Sequence, residues 1–267
     1  MTLQYKQTQL FYTKVGSGPS LVLLHGFLES HTMWKPFLKK WAKTHTVITV
    51  DLLGHGKTGC LGYIHTMKQM AESVIAILEH EKIPTAIFIG HSMGGYVALE
   101  ILAQQSNLIS KLVLLNSTAE ADSDERKKNR DRAVALLKSH PKAYVSMAIT
   151  NLFATESLEA FRNDIEHLKE TAISFSVQGL IAATEGMKVR EDYTLLFQSA
   201  TVPKAVIGGI EDPIISIKKL ETLALKAHAK FYALEGGHMS TIENQEGVTK
   251  AINDFLSLPE RNSTHAL

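Results

Sequence analysis

The sequence predicts an α/β fold with a mostly parallel central sheet and helices on both faces. Along the 267-residue chain, short apolar runs suited to strands alternate with longer stretches that repeat apolar residues at helical spacing. This alternation is typical of parallel strands joined by helices that cover both sides of the sheet. One long stretch, at about residues 117–200, is almost wholly helical. We therefore expect a core of residues 1–116 and 201–267, with residues 117–200 inserted as a helical cap.

The first half of the chain contains the opening strands and one clear helix. Residues 10–15 and 21–24 are predicted to form a hairpin, with the glycine-rich residues 16–19 as its turn. Residues 46–51 are predicted as the next strand. Residues 66–80 are predicted as a helix, since their apolar side chains form one stripe.

The second half is predicted from the same two patterns. Two strands are expected on either side of the helix that follows residue 92, at residues 86–90 and 111–115. The cap is predicted to contain helices at residues 122–138, 142–152, 156–170 and 171–185. The core is then expected to resume with strands at 202–208 and 230–234 and helices at 216–227 and 246–256. The polar tail, residues 259–267, is expected to be loose.

A nucleophile is predicted at Ser92. The segment Gly90-His91-Ser92-Met93-Gly94 follows an apolar run and leads directly into a helical pattern. A sharp strand-to-helix turn holds its central serine in a strained backbone above the sheet, and flanking glycines leave room for the turn. The alternative is a glycine-rich connection with a capping serine, but the register of strand, turn and helix favours the nucleophile. His91 is interpreted as a neighbour rather than as the base.

The partners that a serine nucleophile needs occur downstream in the expected order. Its hydroxyl requires a histidine base, and the histidine requires a carboxylate that fixes its tautomer. Asp212 and His238 follow the last two predicted strands, so both are expected at the same sheet edge as Ser92. Either alone would be an ordinary turn residue; together the three predict a catalytic triad. Glu211 is the alternative acid, but its side chain is expected to point into solvent.

An oxyanion hole is predicted from two backbone amides. Fixed N–H donors stabilise the negative charge that develops on a carbonyl oxygen during acyl transfer. Met93, directly after the predicted nucleophile, is one expected donor. The other is Phe27, in the loop after an early strand, where Gly26 permits close approach of the backbone. Leu28 and Met239 are expected to line the substrate pocket.

These motifs resemble those of the α/β-hydrolase superfamily, in its single-domain serine esterase and lactonase branch. The matching segments are His25-Gly26-Phe27, Asp51-Leu52-Leu53-Gly54-His55-Gly56, Gly90-His91-Ser92-Met93-Gly94-Gly95, Gly209-Ile210-Glu211-Asp212-Pro213 and Gly236-Gly237-His238. The resemblance extends over about residues 11–256 and is weakest in the cap.

The resemblance implies a role for each motif residue. Ser92 would be the nucleophile, His238 the base and Asp212 the acid, with the amides of Phe27 and Met93 as oxyanion donors. Dehalogenase and epoxide-hydrolase branches use aspartate at the elbow, so a serine argues against them. Some relatives place the acid after the strand that follows the elbow helix. That position here is Asn116, which carries no charge, and this supports Asp212.

Composition excludes several classes of function. A formal net charge of +1 gives no electrostatic basis for binding nucleic acid or an anionic membrane surface. No apolar run is long enough to span a bilayer, and the first residues lack the apolar core of a signal peptide. The single cysteine, Cys60, excludes an internal disulfide framework and fits a reducing compartment, so a cytoplasmic location is expected. No metal-ligand spacing occurs, and neither a metal nor another cofactor is expected.

The predicted cap carries mixed charge and no predicted catalytic residue. Residues 125–132 are interpreted as a solvated helix face rather than an anion site, because acids alternate with the bases. The cap residues Met147, Phe153, Phe161 and Phe175 are interpreted mainly as packing. We expect replacement of residues 117–200 by a linker to change substrate range far more than triad geometry.

The sequence thus predicts a cytoplasmic, carboxylesterase-like serine hydrolase that cleaves small carboxylic esters, with thioesters and lactones as further candidate substrates. Two alternatives stay open. One is a carbon–carbon bond hydrolase or cofactor-free lyase on the same triad, whose signature would be cap arginines that hold a carboxylated substrate. The available arginines are Arg126, Arg130, Arg132, Arg162 and Arg190. The other is a signalling receptor that keeps the triad but turns over slowly. The partner is a small molecule, and the oligomeric state is not predicted.

Overall fold

The computed structural model describes residues 1–258, which are built around one eight-stranded sheet of strand order β1-β2-β4-β3-β5-β6-β7-β8. The loose tail expected at residues 259–267 lies outside the described residues. Strands β3 to β8 run parallel to one another, whereas β2 is antiparallel to both β1 and β4. The strands are β1 (Thr2–Tyr5), β2 (Thr8–Val15), β3 (Ser20–Leu24), β4 (Thr46–Val50), β5 (Ala86–His91), β6 (Ile109–Leu115), β7 (Lys204–Gly209) and β8 (Lys230–Leu234).

The hairpin predicted between residues 10–15 and 21–24 is wrong. The hairpin in the structure joins β1 to β2, with Tyr5 opposite Thr8, and β4 lies between β2 and β3. The cause is the connection at residues 16–19, where Gly16 and Gly18 have φ of 84° and 119°. Its backbone packs against residues 42–45 and is bonded to the start of β4 through Pro19 O and Thr46 N, 3.0 Å apart. The connection therefore leads the chain past β4 instead of folding it back on β2.

Alternating side chains of the central strands bury both faces of the sheet. On β3, Leu21 and Leu23 join one apolar cluster, while Val22 and Leu24 join the other. The first cluster is closed by helices α1 (Lys35–Trp41) and α11 (Gln245–Leu256), and the second by α2 (Met67–His80), α3 (Met93–Gln104) and α9 (Ile217–Lys226). Because both faces are covered, the strands are nearly continuous apolar runs, as expected for a parallel sheet.

Eleven helices are described in residues 1–258. Six belong to the core: α1 (Lys35–Trp41), α2 (Met67–His80), α3 (Met93–Gln104), α9 (Ile217–Lys226), α10 (Ser240–Glu243) and α11 (Gln245–Leu256). The predicted helix at residues 66–80 is α2, which begins after Thr66. The Thr66 side chain accepts a hydrogen bond from Gln69 N, and the Gln69 side chain accepts one from Thr66 N, so the two residues form a capping box.

The stretch between β6 and β7 is helical, as expected, and lies over the carboxyl edge of the sheet. Its helices are α4 (Asp124–Ser139), α5 (Pro141–Thr150), α6 (Arg162–Ile173), α7 (Val177–Lys188) and α8 (Thr194–Ser199). The last of these was not anticipated, and α6 begins later than predicted because Thr155–Ser157 forms a separate 3-10 turn. We call residues 117–200 the cap. Within residues 1–258, no helix combines the length and apolar character that crossing a membrane requires.

Candidate active site

Ser92 lies at a sharp turn between β5 and α3, with φ 49° and ψ −114°. This conformation is unfavourable for a residue with a side chain, by about 1–3 kcal/mol, and must be held by its surroundings. Ser92 N donates to Leu115 O at 3.0 Å, and Ser117 Oγ donates to Ser92 O at 2.7 Å. A side chain at Gly90 would collide with the Gly94 backbone, and one at Gly94 with Leu24 O, which explains the glycines on either side of the turn. The strand and helix thus fix the serine hydroxyl above the sheet edge.

His238 and Asp212 come together with Ser92 at this edge, although they follow different strands. His238 Nε2 lies 2.8 Å from Ser92 Oγ, and His238 Nδ1 lies 2.8 Å from Asp212 Oδ2. The carboxylate only accepts, so Nδ1 carries the proton and Nε2 is left to accept from the serine hydroxyl. The His238 and Asp212 side chains are 2% and 0% exposed, which keeps water from competing for these bonds.

Asp212 is held as an anion by four donors. Oδ1 accepts from the backbone N–H groups of Ile214 and Ile215 at 2.7 and 3.0 Å. Oδ2 accepts from His238 and from Asn116 Nδ2, which is 3.1 Å away. Burial alone would raise the pKa of Asp212, but the His238 charge and these hydrogen bonds hold it below its ordinary value.

Asn116, one of these four donors, lies at the position where the resemblance allows an alternative acid. Here its amide group donates to Asp212 instead. Glu211 is exposed, as expected, but it also has a partner. Its Oε2 accepts from Gly236 N at 2.8 Å and ties the loop after β7 to the loop before His238. The side chain therefore serves the turn rather than the histidine.

The loop after β3 passes directly beside Ser92. A Cβ placed on Gly26 would lie 3.2 Å from Ser92 Cβ, so only the backbone of this loop fits there. Within the described residues, neither Phe27 N nor Met93 N has a hydrogen-bond acceptor, which leaves both amides available to a ligand. Leu28 follows in a left-handed conformation with φ 66°, so this short loop also stores strain.

A cavity of about 590 Å³ opens over Ser92 between the core and the cap. Ser92, His238, Phe27 and Leu28 line it from the core, which agrees with the expected position of Leu28. Met239, the other expected pocket residue, does not line it. Its side chain is 1% exposed and packs beneath the cap in a cluster with Leu28 and cap residues. The reason is that the chain turns into α10 directly after His238, so the next side chain points into the protein.

The cap is bonded to the loop that carries His238. His238 N donates to Leu152 O at 2.9 Å, and Ala154 N donates to Glu243 Oε2 at 3.0 Å. Glu243 Oε1 in turn accepts from Met239 N at 3.1 Å. Although no predicted triad residue lies in the cap, its backbone therefore takes part in positioning the histidine. The expectation that replacing the cap changes substrate range far more than triad geometry stays a prediction, and the Leu152 contact adds an effect on His238 to be measured with it.

The charged stretch at residues 125–132 is not a purely solvated face, contrary to expectation. Arg126 and Arg130 lie on the cavity side of α4 and donate through Nε to the buried Asp122, at 3.1 and 3.0 Å. Arg190 also contacts Asp122, at 2.6 Å, and Arg132 joins the cavity lining. Burial alone would raise the pKa of Asp122, but the arginines hold it below its ordinary value. Three guanidinium groups share one carboxylate, so this side of the cavity carries excess positive charge.

Sequence reasoning missed one buried pair beside the nucleophile. Glu29 and His91 are 3% and 1% exposed in their side chains, and Glu29 Oε2 lies 2.7 Å from His91 Nδ1. The two residues are 62 positions apart in the sequence, so no local sequence pattern predicts their contact. In residues 1–258, no group of three or more His, Cys, Asp or Glu side chains is arranged to hold a metal ion.

The fold, and the edge of the sheet where Ser92, His238 and Asp212 meet, define the class of protein. Residues 19–245 match the model of the alpha/beta hydrolase fold family, and the chain belongs to that family. The predicted fold class and the predicted family are confirmed.

Individual relatives agree over nearly the whole chain. A 3-oxoadipate enol-lactonase of Acinetobacter baylyi is 24% identical over 94% of this chain and 94% of its own length. A protein of Mycobacterium phage D29, whose name assigns it provisionally to the non-heme haloperoxidases, is 29% identical over 87% of this chain and 85% of its own. Among solved structures, a thermophilic esterase from Thermogutta terrifontis, determined with malate bound, superposes with a TM-score of 0.89 at 28% identity and covers 93% of each chain.

Proposed function

We propose that this protein is a serine hydrolase that cleaves small carboxylic esters, including lactones and thioesters, through an acyl-enzyme. The observation that carries the proposal is the unbroken chain of hydrogen bonds from Ser92 Oγ through His238 to Asp212, each 2.8 Å long. The comparisons support the substrate class, because an enol-lactonase and an esterase align with almost the entire chain.

The geometry suggests how each residue acts. His238 Nε2 removes the hydroxyl proton as Ser92 Oγ attacks the substrate carbonyl, and Asp212 stabilises the imidazolium that results. The amides of Phe27 and Met93 donate to the carbonyl oxygen as it becomes negative. His238 then gives the proton to the leaving alcohol, which leaves an acyl group on Ser92. The same histidine next removes a proton from water as the water oxygen attacks the acyl carbon. It then returns that proton to Ser92 Oγ as the acyl bond breaks, which releases the acid and restores the serine hydroxyl.

The test is steady-state hydrolysis of nitrophenyl esters of increasing acyl length, together with simple lactones, by wild-type protein and the Ser92→Ala variant. We expect sustained turnover by the wild type, and a loss of at least about 10³-fold in the variant, because triad members act as a unit. A single stoichiometric burst without turnover would instead support the slow receptor. Near-full activity in pure Ser92→Ala protein would end the proposal. The expected cytoplasmic location stays a prediction.

One observation favours a narrower second candidate, a substrate that carries a carboxylate. Arg126, Arg130 and Arg132 line the same cavity as Ser92, and within residues 1–258 Asp122 is the one carboxylate paired with the first two. A carboxylated substrate of this kind is also what the carbon–carbon hydrolase or lyase alternative would need. The arginines would orient its charged end by bidentate hydrogen bonds while its carbonyl meets Ser92.

The matched substrates for this second candidate are nitrophenyl butyrate and nitrophenyl hemisuccinate, which differ mainly in a terminal carboxylate. If the arginines bind that group, Arg132→Gln should raise KM for the hemisuccinate severalfold and leave the butyrate unchanged. Arg132 is the variant of choice because, within residues 1–258, its guanidinium bonds only to Asn129 on the same helix, so its replacement should disturb the fold little. Equal effects on both esters would remove this candidate.

A further inference from the structure

The Glu29–His91 pair connects the three loops on which the proposed reaction depends. Glu29 Oε2 accepts from Gly26 N at 2.7 Å, in the loop that carries the Phe27 amide. The same oxygen meets His91 Nδ1 at 2.7 Å, and His91 directly precedes Ser92. His91 Nε2 lies 3.0 Å from His238 O. One carboxylate oxygen and one imidazole ring thus join the loop after β3, the nucleophile turn and the loop of the base.

These contacts require a particular protonation of the pair. The carbonyl of His238 only accepts, so His91 Nε2 must carry a proton. Oε2 accepts from the Gly26 amide, and an ionised Glu29 can only accept at its contact with His91 Nδ1, so both ring nitrogens carry a proton and His91 is the cation that faces this carboxylate. Burial alone would lower the pKa of His91 and raise that of Glu29. Their mutual attraction and hydrogen bond outweigh burial, and the pKa of His91 is raised while that of Glu29 is lowered.

We propose that Glu29 and His91 are positioning residues for the ester hydrolysis proposed above, on which this inference rests. The pair holds the Phe27 amide, the Ser92 hydroxyl and the His238 ring in mutual alignment. The oxyanion loop needs such a restraint because Leu28 next to Phe27 is strained, and a free loop would relax away from Ser92. A donor displaced from the developing oxyanion loses most of its effect on the rate and little of its effect on substrate binding.

Glu29→Gln is the sharpest substitution, because it keeps the shape and removes the charge. With a neutral carboxamide, His91 has no counter-ion and keeps one ring proton. It can then donate either to residue 29 or to His238 O, but not to both, while the new amide group must still accept from Gly26 N. At least one of the three bonds is therefore lost. Glu29→Ala removes two of them outright.

The matched control is His31→Gln. His31 also forms a buried-carboxylate pair, with Nδ1 2.8 Å from Asp51 Oδ1, and it lies two residues after Glu29. Within residues 1–258, the hydrogen bonds and ring contact of its side chain go to Asp51 and Phe11, and none goes to the loops of Ser92 or His238. If loss of any histidine–carboxylate pair near this loop slowed the enzyme through general loosening, this control would slow it as well.

The experiment measures two quantities for each folded variant, with thermal stability recorded alongside. One is the rate constant for labelling of Ser92 by a fluorophosphonate, which passes through an oxyanion. The other is kcat and KM on a nitrophenyl ester, per titrated serine. We expect Glu29→Gln and Glu29→Ala to lower the labelling rate and kcat together by about 10- to 100-fold, less than the 10²–10³-fold loss of a whole donor, with KM within about threefold of wild type.

The outcomes separate the two proposals. Labelling and kcat per serine within about twofold of wild type in both Glu29 variants would overturn the positioning role, whatever the thermal stability does. Equal losses in His31→Gln would overturn it too. If the wild type labels at Ser92 but turns over no ester, the proposed function fails while the labelling rates still decide the positioning role. A wild type unlabelled at Ser92 would overturn both.

Discussion

Replacing Asp212 by asparagine tests the proposed acid with almost no change of shape. The carboxamide oxygen can keep the position of Oδ1 and continue to accept from Ile214 N and Ile215 N. Its amino group then occupies the position of Oδ2, where it faces two donors, His238 Nδ1 and Asn116 Nδ2. The His238 ring can avoid this conflict only by moving its proton to Nε2.

The magnitude follows from that tautomer change. A protonated Nε2 donates to Ser92 Oγ instead of accepting from it, so the serine loses its base. The imidazolium that forms during attack also loses the charge that stabilises it. We expect kcat to fall by about 10²–10⁴-fold, equivalent to about 3–5.5 kcal/mol of transition-state stabilisation, with the upper end taken from the corresponding change in a serine protease.

The assay is kcat on one nitrophenyl ester, with Glu211→Gln as the neighbour control. Glu211 Oε2 accepts from Gly236 N, and a carboxamide oxygen can still do so, so the control should lose less than about threefold. A severe defect in Glu211→Gln with a mild one in Asp212→Asn would refute the reasoning and reverse the assignment.

Asn116 offers a second check on the same site. Because its Nδ2 lies 3.1 Å from Asp212 Oδ2, the double variant Asn116→Asp/Asp212→Asn exchanges the two groups across one hydrogen bond. If the double variant is more active than Asp212→Asn, a negative charge near His238 supports the histidine even when it is placed at residue 116 instead of residue 212. Asn116 has φ 45°, a conformation that aspartate tolerates nearly as well as asparagine.

Three further predictions follow from buried groups. Ser92→Ala should lose fluorophosphonate labelling entirely while its circular dichroism stays that of the wild type; a label recovered on another residue would count against Ser92. Burial lowers the pKa of His55 to about 3 and of His65 to about 4. In the unfolded chain these histidines have a pKa near 6.5, so below that pH the unfolded state binds more protons than the folded state. As the pH falls from about 6.5 to about 4, each histidine should therefore lower the free energy of unfolding by about 1.4 kcal/mol per pH unit. Urea titrations at several pH values in this window should show that the free energy of unfolding depends less steeply on pH in His55→Gln than in the wild type. Equal pH dependence in the two proteins would contradict the argument. Gly179→Ala should destabilise the protein by about 1–3 kcal/mol, because its new methyl group meets the Gly54 backbone; an unchanged melting temperature would show that α7 moves aside freely.

The features that the sequence predicted well depend on local pattern. The alternation of strands and helices, the turn around Ser92 and the placement of Asp212 and His238 after strands each lie in a window of a few residues. The parallel topology then brings the carboxyl ends of β5, β7 and β8 to one edge, so Ser92 and His238, 146 positions apart, meet without a pattern of their own. This is why three separate loops could be assigned to one site.

The features that it missed depend on contacts between distant parts of the chain. The opening hairpin failed because β4 intervenes, and strand order is not written in the periodicity of either β2 or β3. The arginines of α4 were interpreted as solvated because alternating charges look the same whether a buried Asp122 faces them or water does. Glu29 and His91 were not recognised as partners because neither residue stands out in its own local sequence. Only the fold brings Glu29 Oε2 within 2.7 Å of His91 Nδ1.

The bond from His238 N to Leu152 O has a consequence for engineering. A chimera that grafts a foreign cap between β6 and β7 would leave the histidine loop without its carbonyl acceptor, and Glu243 without the Ala154 amide. Exchange points placed at the two ends of the cap would therefore give proteins that fold yet react slowly, whatever pocket the new helices provide. Retaining residues 151–154 as part of the host should preserve turnover, so that specificity can be varied in α4 and α5 without disturbing the chemistry beneath them.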